Sequence, residues 1–199
     1  MQFFSYLING ISLGSVYALI ALGYTMVYGI AKMLNFAHGD VIMIGSYVVY
    51  FAFGASGLNP VLSIVLSMIV CTILGVVIER LAYRPLREAP SLAVLITAIG
   101  VSYLLQQVAQ LSWSSNPKSF TSVVSGMKPV SLFGGQLTIS AETIVTIVAC
   151  VVIMVVLMWF VNYTPAGHAM LAVSEDRGAA QLMGVNVNGT ISLTFAIGS

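Results

Sequence analysis

The chain has 199 residues, 59% of them hydrophobic and only 7% charged, with a mean hydropathy of +1.01. Soluble domains carry roughly 25% charged residues, so seven basic and six acidic side chains cannot coat a globule of 21.1 kDa. A soluble fold is excluded, as is a nucleic-acid binder that works by neutralising phosphates, and an integral membrane protein remains.

Residues 1–31, 41–78, 89–117 and 143–167 carry no formal charge. A spanning helix takes about 20 apolar residues, so these stretches predict an all-α polytopic protein with five complete spans: about 5–30, 36–53, 60–78, 92–112 and 143–162. A sixth apolar run opens near Thr190 and reaches only Ser199, the start of a further span. Residues 1–199 therefore read as a single transmembrane domain that continues beyond the C-terminus of the sequence given. The first run lacks a basic n-region and exceeds the roughly 7–15 residues of a signal-peptide core, so it reads as a retained helix. Within it, Gly10, Gly14 and Ala18 form a small-xxx-small stripe that suits helix packing.

The cluster Gly54-Ala55-Ser56-Gly57-Leu58-Asn59-Pro60 separates the second span from the third. Residues 113–141 form an outer loop rich in Ser, Gly and Pro. Its β-branched runs, Thr121–Val124 and Leu137–Ile139, predict a small hairpin-like cap with Gly134-Gly135 at its turn. Cys71 and Cys150 lie in apolar spans and read as buried thiols rather than disulfide partners. Alternation of the spans puts Lys32, Arg80, Arg84, Arg87 and Arg177 on one side, and the positive-inside rule makes that side cytoplasmic. Ten of the thirteen charges map there, Asp40 at its boundary. Trp113, Trp159 and Tyr163 fall where interfacial aromatics belong.

Two serine patterns carry no catalysis. Gly10-Ile11-Ser12-Leu13-Gly14 matches a nucleophile elbow but lies inside a continuous apolar run rather than a strand-turn-helix. Ser56, in a GxSG-like setting, is eighteen residues from His38 on the same span, about 27 Å at 1.5 Å per residue, so no dyad forms. No P-loop and no H-E-x-x-H motif occurs. Catalytic and metal sites are not expected, and the chain does not read as an enzyme.

Asn35-Phe36-Ala37-His38-Gly39-Asp40 sets an amide, an imidazole and a carboxylate at the mouth of an apolar span or at membrane depth. Ionisable groups there are costly and face a cavity or a partner. Two readings stand: a helix start with Asn35 as cap and Asp40 near the positive dipole end, or the lining of a substrate path or gate by Asn35, His38 and Asp40. His38 and Asp40, two residues apart, share no helical face, which argues against a metal site. Gln106, Gln107 and Gln110 on the fourth span are further path candidates.

In residues 163–189, Ser174 suits an N-cap, Glu175 and Asp176 a first turn, and Gly184 a C-terminal stop. These features predict a short cytoplasmic helix over 174–183 whose Ala179, Ala180, Leu182 and Met183 enter a partner's groove.

Ala179-Ala180-xxx-Gly184 resembles the EAA-xxx-G signature of ABC-importer permeases, with Gly178 where the signature has Glu and Glu175 one turn earlier. The segment from Asn9-Gly-Ile-Ser-Leu-Gly14 to Gly29, followed by Leu34-Asn-Phe-Ala-His-Gly-Asp40, is similar to the LivH-type permeases of branched-chain amino acid importers. The likeness continues through the outer loop to Gly184-Val-Asn-Val-Asn188. The resemblance implies a bacterial inner-membrane permease subunit that pairs with a second permease. It also implies two cytoplasmic ATPase subunits that bind ATP and Mg, and a periplasmic protein that delivers substrate. This chain would hold no cofactor, and it would move Leu, Ile and Val by alternating access. The coupling contacts would be Ser174, Glu175, Asp176, Ala179, Ala180 and Gly184. A urea or short-amide permease is the nearest alternative, and a self-contained secondary transporter or channel a more distant one.

Overall fold

A computed structural model describes residues 2–87, 89–119, 130–132 and 137–199. Eight α-helices are described: α1 (Gln2–Ala31), α2 (His38–Val49), α3 (Pro60–Ile78), α4 (Ser91–Trp113), α5 (Ala141–Tyr163), α6 (Pro165–Glu175), α7 (Arg177–Leu182) and α8 (Val187–Gly198). One antiparallel ribbon, β1 (Val130–Leu132) with β2 (Leu137–Ile139), pairs Val130 with Ile139 and Leu132 with Leu137.

Among the described residues, four helices are long and apolar enough to cross a membrane: Phe3–Ala31, Pro60–Leu86, Ser91–Trp113 and Ala141–Tyr163. The second sequence span is different. α2 supplies only twelve α-helical residues and continues as a π-helical turn, Tyr50–Ala55, closed by Ser56 donating to the Phe51 carbonyl. α3 likewise runs on through a π segment, Glu79–Tyr83, and a 3-10 turn, Arg84–Leu86. The wider i→i+5 turn leaves both Glu79 and Tyr83 turned into the core.

The termini follow from local chemistry. Asn59 caps α3 by accepting from the Val61 N–H at 3.0 Å, with Pro60 in the first turn where its missing N–H costs nothing. Ser140 caps α5 and Thr164 caps α6. Between α5 and α6 the chain turns so sharply that a Cβ on Gly167 would lie 2.3 Å from the Val161 carbonyl. Ser114, at positive φ, ends α4, and Trp113 stacks on Tyr47 with ring centroids 4.5 Å apart.

α1 packs on α5, α6 and α8, while α3 packs on α2 and α8, so α8 lies between α1 and α3. The core joins Val27, Ile30 and Ala31 of α1 to Val41, Ile78, Tyr83, Met170, Ile191 and Phe195. It is concentrated at the end of the bundle that holds Lys32, Arg87 and Arg177, hereafter the basic end.

Several expectations change. Leu137–Ile139 is a strand, but its partner is Val130–Leu132; Thr121–Val124 and Gly134-Gly135 lie outside the described residues. Within 163–189, where one helix over 174–183 was expected between two linkers, the chain is helical through α6, α7 and the start of α8. Gly10, Gly14 and Ala18 are exposed, and a Cβ on Gly10 or Gly14 meets nothing within 4 Å. Close packing within the chain uses other glycines. A Cβ on Gly23 would come 2.7 Å from the Gly198 carbonyl, and one on Gly75 would meet the Phe195 carbonyl at 3.0 Å. Both cysteines are free thiols; Cys71 is buried against Gly45 and Cys150 half-buried.

Candidate functional site

Between α1 and α2 the chain reverses through Lys32, at φ 52°, and a turn in which His38 N–H donates to the Asn35 carbonyl at 3.2 Å. The N-cap of α2 is Ala37, with no side-chain cap. Asn35 is therefore not a helix cap. Its Oδ1 instead accepts from the Tyr83 hydroxyl at 3.1 Å, a bond that satisfies a buried amide at the basic end. Asp40 does lie in the first turn of α2.

The three candidate side chains face three different neighbours. Asn35 meets the end of the α3 extension through Tyr83. The buried ring of His38 sits over Gly23 and against Tyr24, ring centroids 6.3 Å apart, next to the end of α8. Asp40, 7% exposed, accepts from Gln106 Nε2 at 2.9 Å. Gln106 also reaches Ser102 Oγ at 3.2 Å.

This last bond fixes the depth of Asp40. Gln106 is fifteen residues beyond Ser91 and seven before Trp113 on α4, roughly 22 Å and 10 Å by helical rise. Asp40 therefore stands alongside the interior of a spanning helix, not at the basic surface where charge counting placed it. The break between α1 and α2 carries the chain into the bundle, the arrangement in which irregular backbone is tolerated because protein surrounds it. Gln110 turns away to Ser115 at 2.7 Å. Among the described residues no group of three His, Cys, Asp or Glu side chains is placed to hold a metal ion.

At the basic end lies a polar network that sequence reading assigned merely to a loop. Glu79, 0% exposed, pairs with Arg87 and accepts from Ser192 Oγ of α8 at 2.6 Å. Arg87 also donates to Asn188 Oδ1. Tyr83, equally buried, packs its ring 5.2 Å from that of Phe195. The signal for Glu79 was available: it ends an apolar run without a break, and a helix continuing one turn further buries it.

The network adjoins the expected coupling segment, which is built differently from its expected form. The helix over 174–183 is interrupted at Asp176. Ser174 is no cap; it lies in the last turns of α6 and donates back to the Leu171 carbonyl at 2.6 Å. Glu175 ends α6, and Asp176 caps α7 by accepting from Gly178 and Ala179 N–H at 2.7 and 3.0 Å. Gly184, at φ 86°, stops α7 as expected: its N–H donates to Gln181, and that of Val185 to Ala180, the paired bonds of a Schellman motif. Ala180 is 4% exposed and part of the chain's own core, so it is not free to enter a partner. Leu182 and Met183 are 90% and 85% exposed. Arg177, ahead of them, donates to the Ala31 carbonyl and so ties α7 to the end of α1.

With this geometry in place, comparison with known proteins is informative. Residues 6–199 match the family described as branched-chain amino acid transport system, permease component. The chain is 42% identical over 205 residues to the high-affinity branched-chain amino acid transport system permease protein BraD of Pseudomonas aeruginosa. That alignment covers 97% of this chain and 66% of the relative. It is 39% identical over 210 residues to LivH of Escherichia coli K12, a permease of the same description, covering 100% of this chain and 68% of the relative. A probable branched-chain amino acid permease of Methanocaldococcus jannaschii is 30% identical over 86% of the chain. The chain thus spans about two thirds of the length of the first two relatives. No solved structure matches it. A matching family over nearly every residue, together with apolar helices long enough to cross a bilayer several times, makes this a multi-pass membrane protein that belongs to the branched-chain amino acid transport permease family.

Proposed function

We propose that this chain is the membrane-spanning part of an ATP-driven importer of branched-chain amino acids, working by alternating access and drawing its energy from separate ATPase subunits. The relatives' names supply the substrate class. The observation that carries the coupling is the form of α7. A helix of six residues is capped at both ends, anchored by Ala180 and Arg177, and left with Leu182 and Met183 in the open. An exposed apolar pair on a firmly held short helix is a handle: it has no packing partner among the described residues, and any displacement passes directly to α1 and α8.

In this reading the basic end is cytoplasmic in a bacterial inner membrane, and α2 with its π turn is a fifth crossing element. A second permease, two ATPase subunits that bind ATP and Mg, and a periplasmic binding protein complete the transporter. Asn35, His38 and Asp40 act as gate residues in a closed state, each held by a different helix. Separating α2 from α1, α3 and α4 frees all three at once and exposes polar groups to a zwitterion. Ser174, Glu175 and Gly184 hold the shape of the coupling region, and the contacts pass through Ala179, Leu182 and Met183.

The test uses the full-length permease co-expressed with its ATPase subunits. Leu182→Asp with Met183→Asp is expected to abolish co-purification of the ATPases and substrate-driven uptake, while the permease still reaches the membrane and unfolds at its usual temperature. Undiminished ATPase recovery from that variant would overturn the coupling role.

A further inference from the structure

At the basic end, the mouth between α1 and α4 forms a cavity of about 360 Å³. Lys32, Arg87 and Arg177 line it, with Ser91 at the start of α4, and its walls continue along Tyr28, Val94 and Leu95. The two sets of residues are segregated. Tyr28, Val94 and Leu95 belong to helices that cross the membrane, whereas Lys32 lies just beyond α1 and Arg87 just before α4. The cavity is therefore apolar at membrane depth and cationic at the membrane edge.

Among the described residues, Lys32 and Arg177 face the cavity without an ion-pair partner. Among the described residues only Arg87 has an ion-pair partner, Glu79, and no acidic side chain lines the cavity. Asp176, next to Arg177, is committed to capping α7. Arg87 spends its two terminal nitrogens on Glu79 and Asn188, and its Nε is buried without a hydrogen-bond partner. Burial, and then the nearby Arg87 charge, holds the Arg177 guanidinium below its ordinary value, as two like charges facing one empty space require. The first N–H groups of a 23-residue helix add positive potential at the same place.

We infer that this cavity is a binding site for the phosphate headgroup of an anionic phospholipid, with Lys32, Arg87 and Arg177 around the phosphate and an acyl chain along Tyr28, Val94 and Leu95. A phosphate diester supplies acceptors for the Lys32 ammonium and for the Arg177 nitrogens not spent on the Ala31 carbonyl, while Arg87, held by Glu79 and Asn188, adds the charge behind them. The apolar walls select a lipid over a free anion, because a soluble phosphate gains nothing from them. Basic pockets between membrane helices suit such headgroups in general. The inference needs only the membrane setting and is independent of the substrate and of the ATPase contact.

The experiment reconstitutes the full-length permease in bilayer discs of phosphatidylcholine and phosphatidylglycerol in equal parts, then counts lipids retained on gentle extraction by native mass spectrometry. Lys32→Asn removes a charge while keeping a residue that tolerates the positive φ there, so the fold is spared. Arg177→Gln removes another, and Arg84→Gln, outside the cavity, is the control. Retained phosphatidylglycerol is expected to fall about fivefold for each cavity charge removed and to stay unchanged in the control. Equal retention in the Lys32→Asn/Arg177→Gln double variant would overturn the site. So would an equal loss in the control, which would indicate diffuse attraction. Displacement of the lipid by inorganic phosphate at matched concentration would make the ligand a free anion and overturn the lipid assignment.

Discussion

α5 and α8 are both apolar, yet α5 stands outside and α8 is buried. α5 runs for 23 residues, and Thr143 in its first turn is its only buried position. α8 has 12 residues and buries Thr190, Ile191, Thr194, Phe195 and Gly198 between α1 and α3. In water the order would be reversed. Lipid chains are as apolar as leucine, so hydrophobicity does not send a helix inward; close approach and satisfied polar groups do. α8 has both. Thr190 and Thr194 return their hydroxyls to carbonyls four residues back, at 3.0 and 2.8 Å, and Gly198 lets the end of the helix lie on Gly23. α5 has a row of Val and Ile and nothing to hold in the interior.

The comparison breaks most visibly at Glu79, the acid that Ser192 of α8 holds in the core. Glu79→Ala leaves Arg87 without its buried counter-charge and is expected to cost about 3–5 kcal/mol. It should show as lost folded protein after detergent extraction. Glu79→Gln with Arg87→Gln, which removes both charges, is expected to recover most of that loss. A double variant no better than Glu79→Ala would mean that the pair is not what holds this end together.

The contact of α8 with α1 gives the next effect. Gly23→Val places branches where a Cβ alone already meets the Gly198 carbonyl at 2.7 Å and His38 at 2.9 Å. Overpacking of that kind costs about 1–3 kcal/mol, read as a lowered thermal midpoint in detergent. Val152→Ile, on the open face of α5, is expected to change it by under about 0.5 kcal/mol. Equal effects at the two positions would dissolve the distinction between the helices.

The same physics sets what was legible in the sequence. Span starts were in part, because charge gaps and the Asn59-Pro60 start are local: residues 60–78 were expected as a span, and the helix starts at Pro60 but runs on to Leu86. The packing partners were not. Gly10, Gly14 and Ala18 show the spacing of a packing stripe, but spacing says nothing about which face meets a neighbour. Asn35, His38 and Asp40 were recognisable as polar groups at the mouth of an apolar span or at membrane depth, while their separation among three helices depends on contacts 14 to 66 positions away in sequence, such as that of Asp40 with Gln106. Asp176 outcompeted Ser174 as a cap because the backbone leaves helical geometry at 176, with φ −149°, where α6 ends. Two helices meeting at one residue look like a single helix in a sequence of good helix formers.

That junction gives a smaller effect. Asp176→Ala removes the acceptor of two N–H groups and is expected to cost about 0.5–2 kcal/mol, most of it local to α7. Amide exchange in Gly178–Leu182 would quicken while α8 stays protected. Ser174→Ala gives up only a bond back to its own helix and is expected to leave exchange in α7 unchanged. Faster exchange in the serine variant would restore Ser174 as the start of that helix.

The smallest effect lies on the half of α1 that resembles α5 in being open. A methyl group at Gly14 meets nothing within 4 Å, and alanine favours a helix interior over glycine by about 0.5–1 kcal/mol. Gly14→Ala in the isolated full-length permease is therefore expected to raise the thermal midpoint slightly. Gly14→Leu, far larger, is expected to be no worse than neutral there, since the face borders only lipid. The assembled transporter separates two causes of the same exposure. If the stripe of Gly10, Gly14 and Ala18 seats a second permease, Gly14→Leu splits the assembly while the isolated chain stays as stable as before. If both chain and assembly tolerate leucine, the stripe is lipid-facing, and α1 is like α8 at the basic end and like α5 along the rest of its length.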